Sequence, residues 1–105
     1  MTYVINTHRL PENTMSIAIE PQGQIQSDEA ADLLRGRFGM VLAATEPERI
    51  VVDLSEVPSI SEAGVKALMI GYDKASSHQA DVEIVNAAPK VREQLSRTGL
   101  HALIS

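Results

Sequence analysis

The sequence predicts one α/β domain: a small mixed sheet, an N-terminal antiparallel hairpin plus a parallel βαβ unit, with helices packed against it. Three observations carry this. Apolar residues alternate early, at Met15, Ile17 and Ile19, as in a strand with one face buried. A continuous apolar run broken by one acid, Ile50-Val51-Val52-Asp53-Leu54, lies mid-chain, as in a strand covered on both faces within a parallel sheet. Elsewhere apolar residues recur every three to four positions, which marks amphipathic helices.

Each element has its own signal. Residues 2–8 contain the β-rich run Tyr3-Val4-Ile5, and Pro11-Glu12-Asn13 reads as a turn. Residues 14–20 are the alternating strand, with Ser16, Ala18 and Glu20 on its polar side, and Pro21-Gln22-Gly23 closes the hairpin. Ser27-Asp28-Glu29 starts a helix: the hydroxyl can cap free amides and the acids favour the positive end of the dipole. Ala30, Leu33, Leu34, Phe38, Val41 and Leu42 carry it to about residue 44. Gly36 and Gly39 lie inside it, each costing about 1 kcal/mol against alanine. They either let the helix approach the sheet closely or mark an irregularity.

Glu46-Pro47-Glu48 is a loop before the buried strand, and a turn is expected at Pro58-Ser59. Val65, Leu68, Met69 and Tyr72 predict a helix over 62–77, and Val82, Ile84 and Val85 a further strand. Those last two strands, joined by a helix, imply a parallel pair with a right-handed crossover. Pro89 opens a final helix, where its missing amide is harmless, with Val91 and Leu95 facing inward. Gly99 stands where a left-handed cap is expected, and Leu100, Leu103 and Ile104 complete the core. The order is β-β-α-β-α-β-α, with no repeat and no linker, so residues 1–105 read as one domain.

Composition narrows the function. With 105 residues, 44% of them hydrophobic but only 3% aromatic, the chain can bury one aliphatic core. A net charge of −5 argues against nucleic acid, whose phosphates demand a Lys/Arg surplus on one face. It favours solubility or a partner with a basic surface. The absence of cysteine removes thiolate chemistry, disulfides and Cys-ligated zinc. The N-terminal residues lack the pattern of a signal peptide, and no stretch is apolar enough to span a membrane. A cytoplasmic location without membrane insertion is therefore expected.

Catalytic patterns are missing. There is no G-x-G-x-x-G after a strand, no P-loop, no G-x-S-x-G and no Ser-x-x-Lys. His8, His78 and His101 have no second ligand at metal spacing, and Glu46 and Glu48 read as solvated loop charges. No enzyme activity, cofactor or metal is expected.

One stretch is more informative: Ile50-Val51-Val52-Asp53-Leu54-Ser55-Glu56-Val57-Pro58-Ser59-Ile60-Ser61-Glu62-Ala63-Gly64-Val65-Lys66-Ala67-Leu68. It resembles the signature of the STAS family, of the type found in bacterial anti-sigma factor antagonists, in which a buried strand ends in Asp-Leu and a loop leads to Asp-Ser-Ser/Thr-Gly at a helix start. Gly23 before a helix, Val85-Asn86 before a Pro-initiated helix, and Thr98-Gly99-Leu100 after it extend the resemblance over nearly the whole chain. It implies a STAS-like mixed sheet and a switch in transcription regulation. In typical members a kinase that is itself the anti-sigma factor phosphorylates the first serine of the motif, and the unphosphorylated form captures that kinase.

This chain departs from the pattern. Ser61 replaces the aspartate, Glu62 the phosphoacceptor serine and Ala63 the next hydroxyl residue, while Gly64 is kept. Glutamate cannot accept phosphate as serine does. It supplies one fixed charge where phosphoserine brings about −1.5 to −2. Glu62 thus reads either as a permanent, partial phosphoserine mimic or as an ordinary first-turn acid behind the N-cap Ser61. Ser61 or Ser59 is the alternative phosphoacceptor.

The resemblance implies a protein-binding module that docks to a kinase-type anti-sigma factor through Ser59, Ser61, Glu62, Ala63, Gly64 and Lys66, with Asp73 a further contact. A non-phosphorylated STAS scaffold or accessory subunit of a larger assembly is the competing reading, and an enzyme or small-molecule carrier is weaker. Oligomeric state is not legible.

Overall fold

A computed structural model describes residues 4–11 and 13–104. The expected strand residues Thr2 and Tyr3, the turn residue Glu12 and the side chain of His101 lie outside what is described. The elements are β1 (Val4–Leu10), β2 (Asn13–Gln22), α1 (Asp28–Thr45), β3 (Arg49–Asp53), α2 (Glu62–Ser77), β4 (Asp81–Val85), α3 (Pro89–Ser96) and a closing 3-10 turn, Gly99–Leu103. The sheet order is β1-β2-β3-β4. β1 and β2 are antiparallel, with Ile5 opposite Pro21 and Arg9 opposite Ile17. β2 also runs parallel to β3, from Ser16↔Arg49 to Ile19↔Val52, and β3 parallel to β4, from Arg49↔Asp81 to Asp53↔Val85. The sheet is mixed, as expected, and its parallel part includes the second hairpin strand.

Side-chain alternation then divides the sheet. Ile17, Ile19, Ile50, Val52, Val82 and Ile84 join one core with the helices. Ala18 and Val51 are buried as well, and their intervening positions place them on the opposite face. That is why β3 reads as apolar throughout.

Several expectations need correction. β2 continues through Pro21-Gln22 instead of stopping there. Its pairing with β3 ends at Ile19, so the proline lies where β2 has a single neighbour and the missing amide costs little. Met15, Leu33, Met69 and Tyr72 are exposed, while Ser16, expected on the polar side of β2, is buried; in α2 the expected Val65 and Leu68 do face inward, joined by Gly64, Ala67, Gly71 and Ala75. The turn after β3 falls at Ser55-Glu56, not Pro58-Ser59, because the Asp53 carboxylate accepts the Ser55 amide at 2.9 Å, a local side-chain turn.

The glycines of α1 do not serve close approach to the sheet. A Cβ on Gly36 would meet nothing within 4 Å, and one on Gly39 only the Lys74 ammonium at 3.8 Å. Close approach instead uses Gly71 of α2, where a Cβ would stand 2.5 Å from the Phe38 ring. Gly99 adopts no left-handed conformation. Thr98 ends α3 in its place: its hydroxyl donates to the Leu95 carbonyl at 2.8 Å and accepts the Leu100 amide at 3.1 Å. The left-handed helix end belongs to Glu46, which closes α1 with φ 44°.

Candidate functional site

The site grows from the carboxyl end of β3. Asp53 Oδ1 accepts the Ser55 amide at 2.9 Å and the Asn86 side-chain amide at 3.3 Å, so one carboxylate ties the loop after β3 to the loop after β4. Asn86 itself is left-handed, with φ 58°, a conformation its short polar side chain tolerates. Burial pushes the Asp53 carboxyl upward, but the hydrogen bonds from Ser55 and Asn86, with the nearby His8, outweigh it and hold the group below its ordinary 3.8.

A pH dependence follows. A carboxyl with a lowered folded value contributes stability that is complete above its unfolded value and lost as pH falls through the folded one. Urea midpoints should therefore drop as pH is lowered below about 4. The Asp53→Asn variant, which keeps both acceptor contacts, should show a shallower drop; identical pH profiles for the two proteins would count against this role.

Beyond Ser55 the loop is pinned to the segment leading into α1. Glu56 and Ser59 carbonyls accept the Gly23 and Ile25 amides at 2.9 and 3.1 Å, and the Ser61 amide donates back to the Ile25 carbonyl at 2.9 Å. Ile25 and Ile60 form a short parallel bridge, and Gln26 Nε2 donates to Ser59 Oγ at 2.8 Å. These bonds set the start of α2 beside the start of α1.

Ser61 then caps α2. Its hydroxyl accepts the Gly64 amide at 3.3 Å and donates to the Ile25 carbonyl at 3.1 Å, which satisfies an amide the helix leaves open. Gly64 is buried under the loop. A Cβ there would stand 2.6 Å from Ile60 Cγ1, 2.7 Å from Ile25 Cγ2 and 2.9 Å from the Ile25 carbonyl oxygen. Only glycine lets the first turn of α2 sit this close.

The remaining residues of interest radiate from this turn. Glu62 is exposed at the first position of α2, Ala63 is half-buried, Lys66 is exposed one turn on, and Asp73 is exposed two turns beyond that. An open groove of about 350 Å³ lies between α2 and α3, lined by Glu62, Val65, Lys66, Met69, Gln94, Arg97 and Thr98. A smaller one of about 170 Å³ lies between α1 and α2, and Ala63 and Lys66 line it with Arg35 and Ile70. Glu62 and Lys66 thus line the larger groove and Ala63 and Lys66 the smaller, while Ser59 and Ser61 are half-buried beside them and Gly64 is buried. Sequence reasoning missed Ile25 and Gln26 and the loop-holding role of Asn86, as well as Gln94 and Arg97, which line the groove. Asn86 before the Pro-initiated helix was visible as a motif; Gln26 carries no local signal.

Among the described residues no group of three or more His, Asp or Glu side chains is arranged to hold a metal ion. The site presents a rigid helix start, a fixed charge and a groove, which suit contact with another molecule's surface.

Residues 8–105 match the STAS domain model, and the chain belongs to that family. The fold is similar to that of the anti-sigma factor antagonist SpoIIAA in its unphosphorylated form, at 13% identity and a TM-score of 0.82 over 97% of this chain and 86% of that one. It is similar to an anti-sigma factor antagonist from Mycobacterium paratuberculosis, at 23% identity and 0.80 over 98% and 83%. It is similar too to a sulfate transporter family protein from Wolinella succinogenes, at 22% identity and 0.74 over 87% and 73%. No curated protein matches the sequence significantly.

Proposed function

We propose that the chain is a regulatory protein-binding module of the anti-sigma factor antagonist kind. It docks to a kinase-type anti-sigma factor through the loop and helix start at 59–64 together with Lys66, and it catalyses nothing itself. The observation that carries the reading is the placement of Glu62: exposed at the first position of a capped helix, on the rim of the groove between α2 and α3. A charge there is tolerated by the helix dipole, so it alters what a partner meets without unfolding the site. Glu62 supplies permanently part of the charge that phosphoserine would bring to this position in typical members.

The test is direct binding of the purified chain to kinase-type anti-sigma factors encoded in the same genome. Glu62→Ser should tighten the complex about two- to fivefold, the size expected for one exposed charge at a helix N-terminus. Failure of both wild type and Glu62→Ser to bind any such kinase would remove the reading.

A second reading is a STAS scaffold or accessory subunit that never uses phosphorylation. Two points support it: by the sequence resemblance Glu62 stands where the usual acceptor would be, and the fold is similar to that of a sulfate transporter family protein. No helix among the described residues is long and apolar enough to cross a membrane. Light scattering on native fractions separates the readings: a strict monomer that joins no larger assembly argues against the scaffold. A cytoplasmic location goes with the first reading and is checked by fractionation.

A further inference from the structure

We propose that Ser59, and not Ser61, is the hydroxyl of this loop that accepts a phosphoryl group, an inference that rests on docking to a kinase-type partner. The two serines lie two residues apart, and the fold gives them opposite chemistry. Ser61 Oγ has both its roles taken: its proton is directed at the Ile25 carbonyl and it accepts the Gly64 amide. Moving that oxygen onto phosphorus would remove the proton it gives to the Ile25 carbonyl. It would also set a phosphate against a carbonyl oxygen now at 3.1 Å, an acceptor facing an anion.

Ser59 is held differently. Its backbone carbonyl is anchored by the Ile25 amide, which fixes the residue, while its hydroxyl only accepts, from the exposed Gln26 side chain. No acceptor among the described residues takes its proton, and the residue is half-exposed. A lone pair and a removable proton are therefore available to an incoming nucleotide. Ser59 Oγ attacks the γ-phosphorus of a nucleoside triphosphate, forming the O–P bond. The bond from that phosphorus to the β–γ bridging oxygen breaks, the nucleoside diphosphate leaves, and the serine proton passes to a base of the kinase. The product anion lies beside the Gln26 amide donor and three residues before Glu62, the first residue of α2, whose dipole favours negative charge. It adds to the charge of Glu62, so the docking surface keeps two distinct charge states although the usual acceptor is gone.

The experiment incubates the chain with the kinase it binds and ATP, followed by intact-mass and fragment analysis. Alongside wild type run Ser59→Ala and Ser61→Asn, the latter keeping a good cap while removing the hydroxyl. The expected result is one phosphate, located on Ser59, absent from Ser59→Ala and retained in Ser61→Asn. Phosphate on Ser61 or any other residue overturns the assignment, and so does a stable complex with no transfer. Absence of both complex and transfer instead removes the docking reading, and the assignment falls with it.

Discussion

Phe38→Ala is expected to cost this domain about 3–5 kcal/mol, the usual range for deleting a buried aromatic ring. Phe38 is the one phenylalanine in the chain. It is fully buried and presses on the backbone of α2 at Gly71, where a Cβ would stand 2.5 Å from the ring. No neighbour collapses easily into the gap, because the facing residue has no side chain. Against a total stability of about 5–15 kcal/mol, the variant should unfold more than about 10 °C below wild type. The pairing of ring and glycine has its own signature. Gly71→Ala should be clearly destabilising in the wild-type background but much less so in the Phe38→Leu background, with a coupling of about 0.5–3 kcal/mol in a denaturation cycle. Simple additivity would show that the ring does not set the spacing of the helices.

Gly64→Ala is the second large effect, and it joins stability to the site. The new methyl meets two isoleucine side chains and, at 2.9 Å, a carbonyl oxygen. The side chains can yield, but the oxygen belongs to the Ile25 peptide that receives both the amide and the hydroxyl of Ser61. Overpacking of this kind costs about 1–3 kcal/mol, partly offset by the better helix propensity of alanine. A net loss of about 1–2 kcal/mol is expected, with chemical-shift changes concentrated at residues 23–26 and 59–64. Gly36→Ala is the control: with nothing near its Cβ, the same change should stabilise by up to about 1 kcal/mol. If both changes had the same sign, the close approach at Gly64 would be wrong.

Much of the architecture was legible because it rests on local patterns. The alternation of Met15, Ile17 and Ile19, the continuous run at Ile50 to Leu54, the serine-acid helix starts and Pro89 fix element type and order without knowledge of the partners. The same signals misled wherever the neighbour decides. Leu33, Met69 and Tyr72 have helical spacing and suitable chemistry, yet these positions face outward. Gly36, Gly39 and Gly99 look like Gly64 and Gly71 in the sequence, but only the latter two meet another element closely. Around the candidate site, the helix start at Ser61-Glu62 could be read from the serine-acid pattern. The bonds that Ile25, Gln26 and Asn86 make to Ser61, Ser59 and Asp53 could not, since they span more than thirty residues.

By itself, then, the sequence determined the mixed α/β class and the order of the elements, since these depend on residue type and short-range spacing. The tertiary structure alone decided which glycines are obligatory, which hydroxyl is spent as a cap and which groove flanks the charge. Each of those depends on an approach between segments distant in the chain, and only the packed core sets such distances.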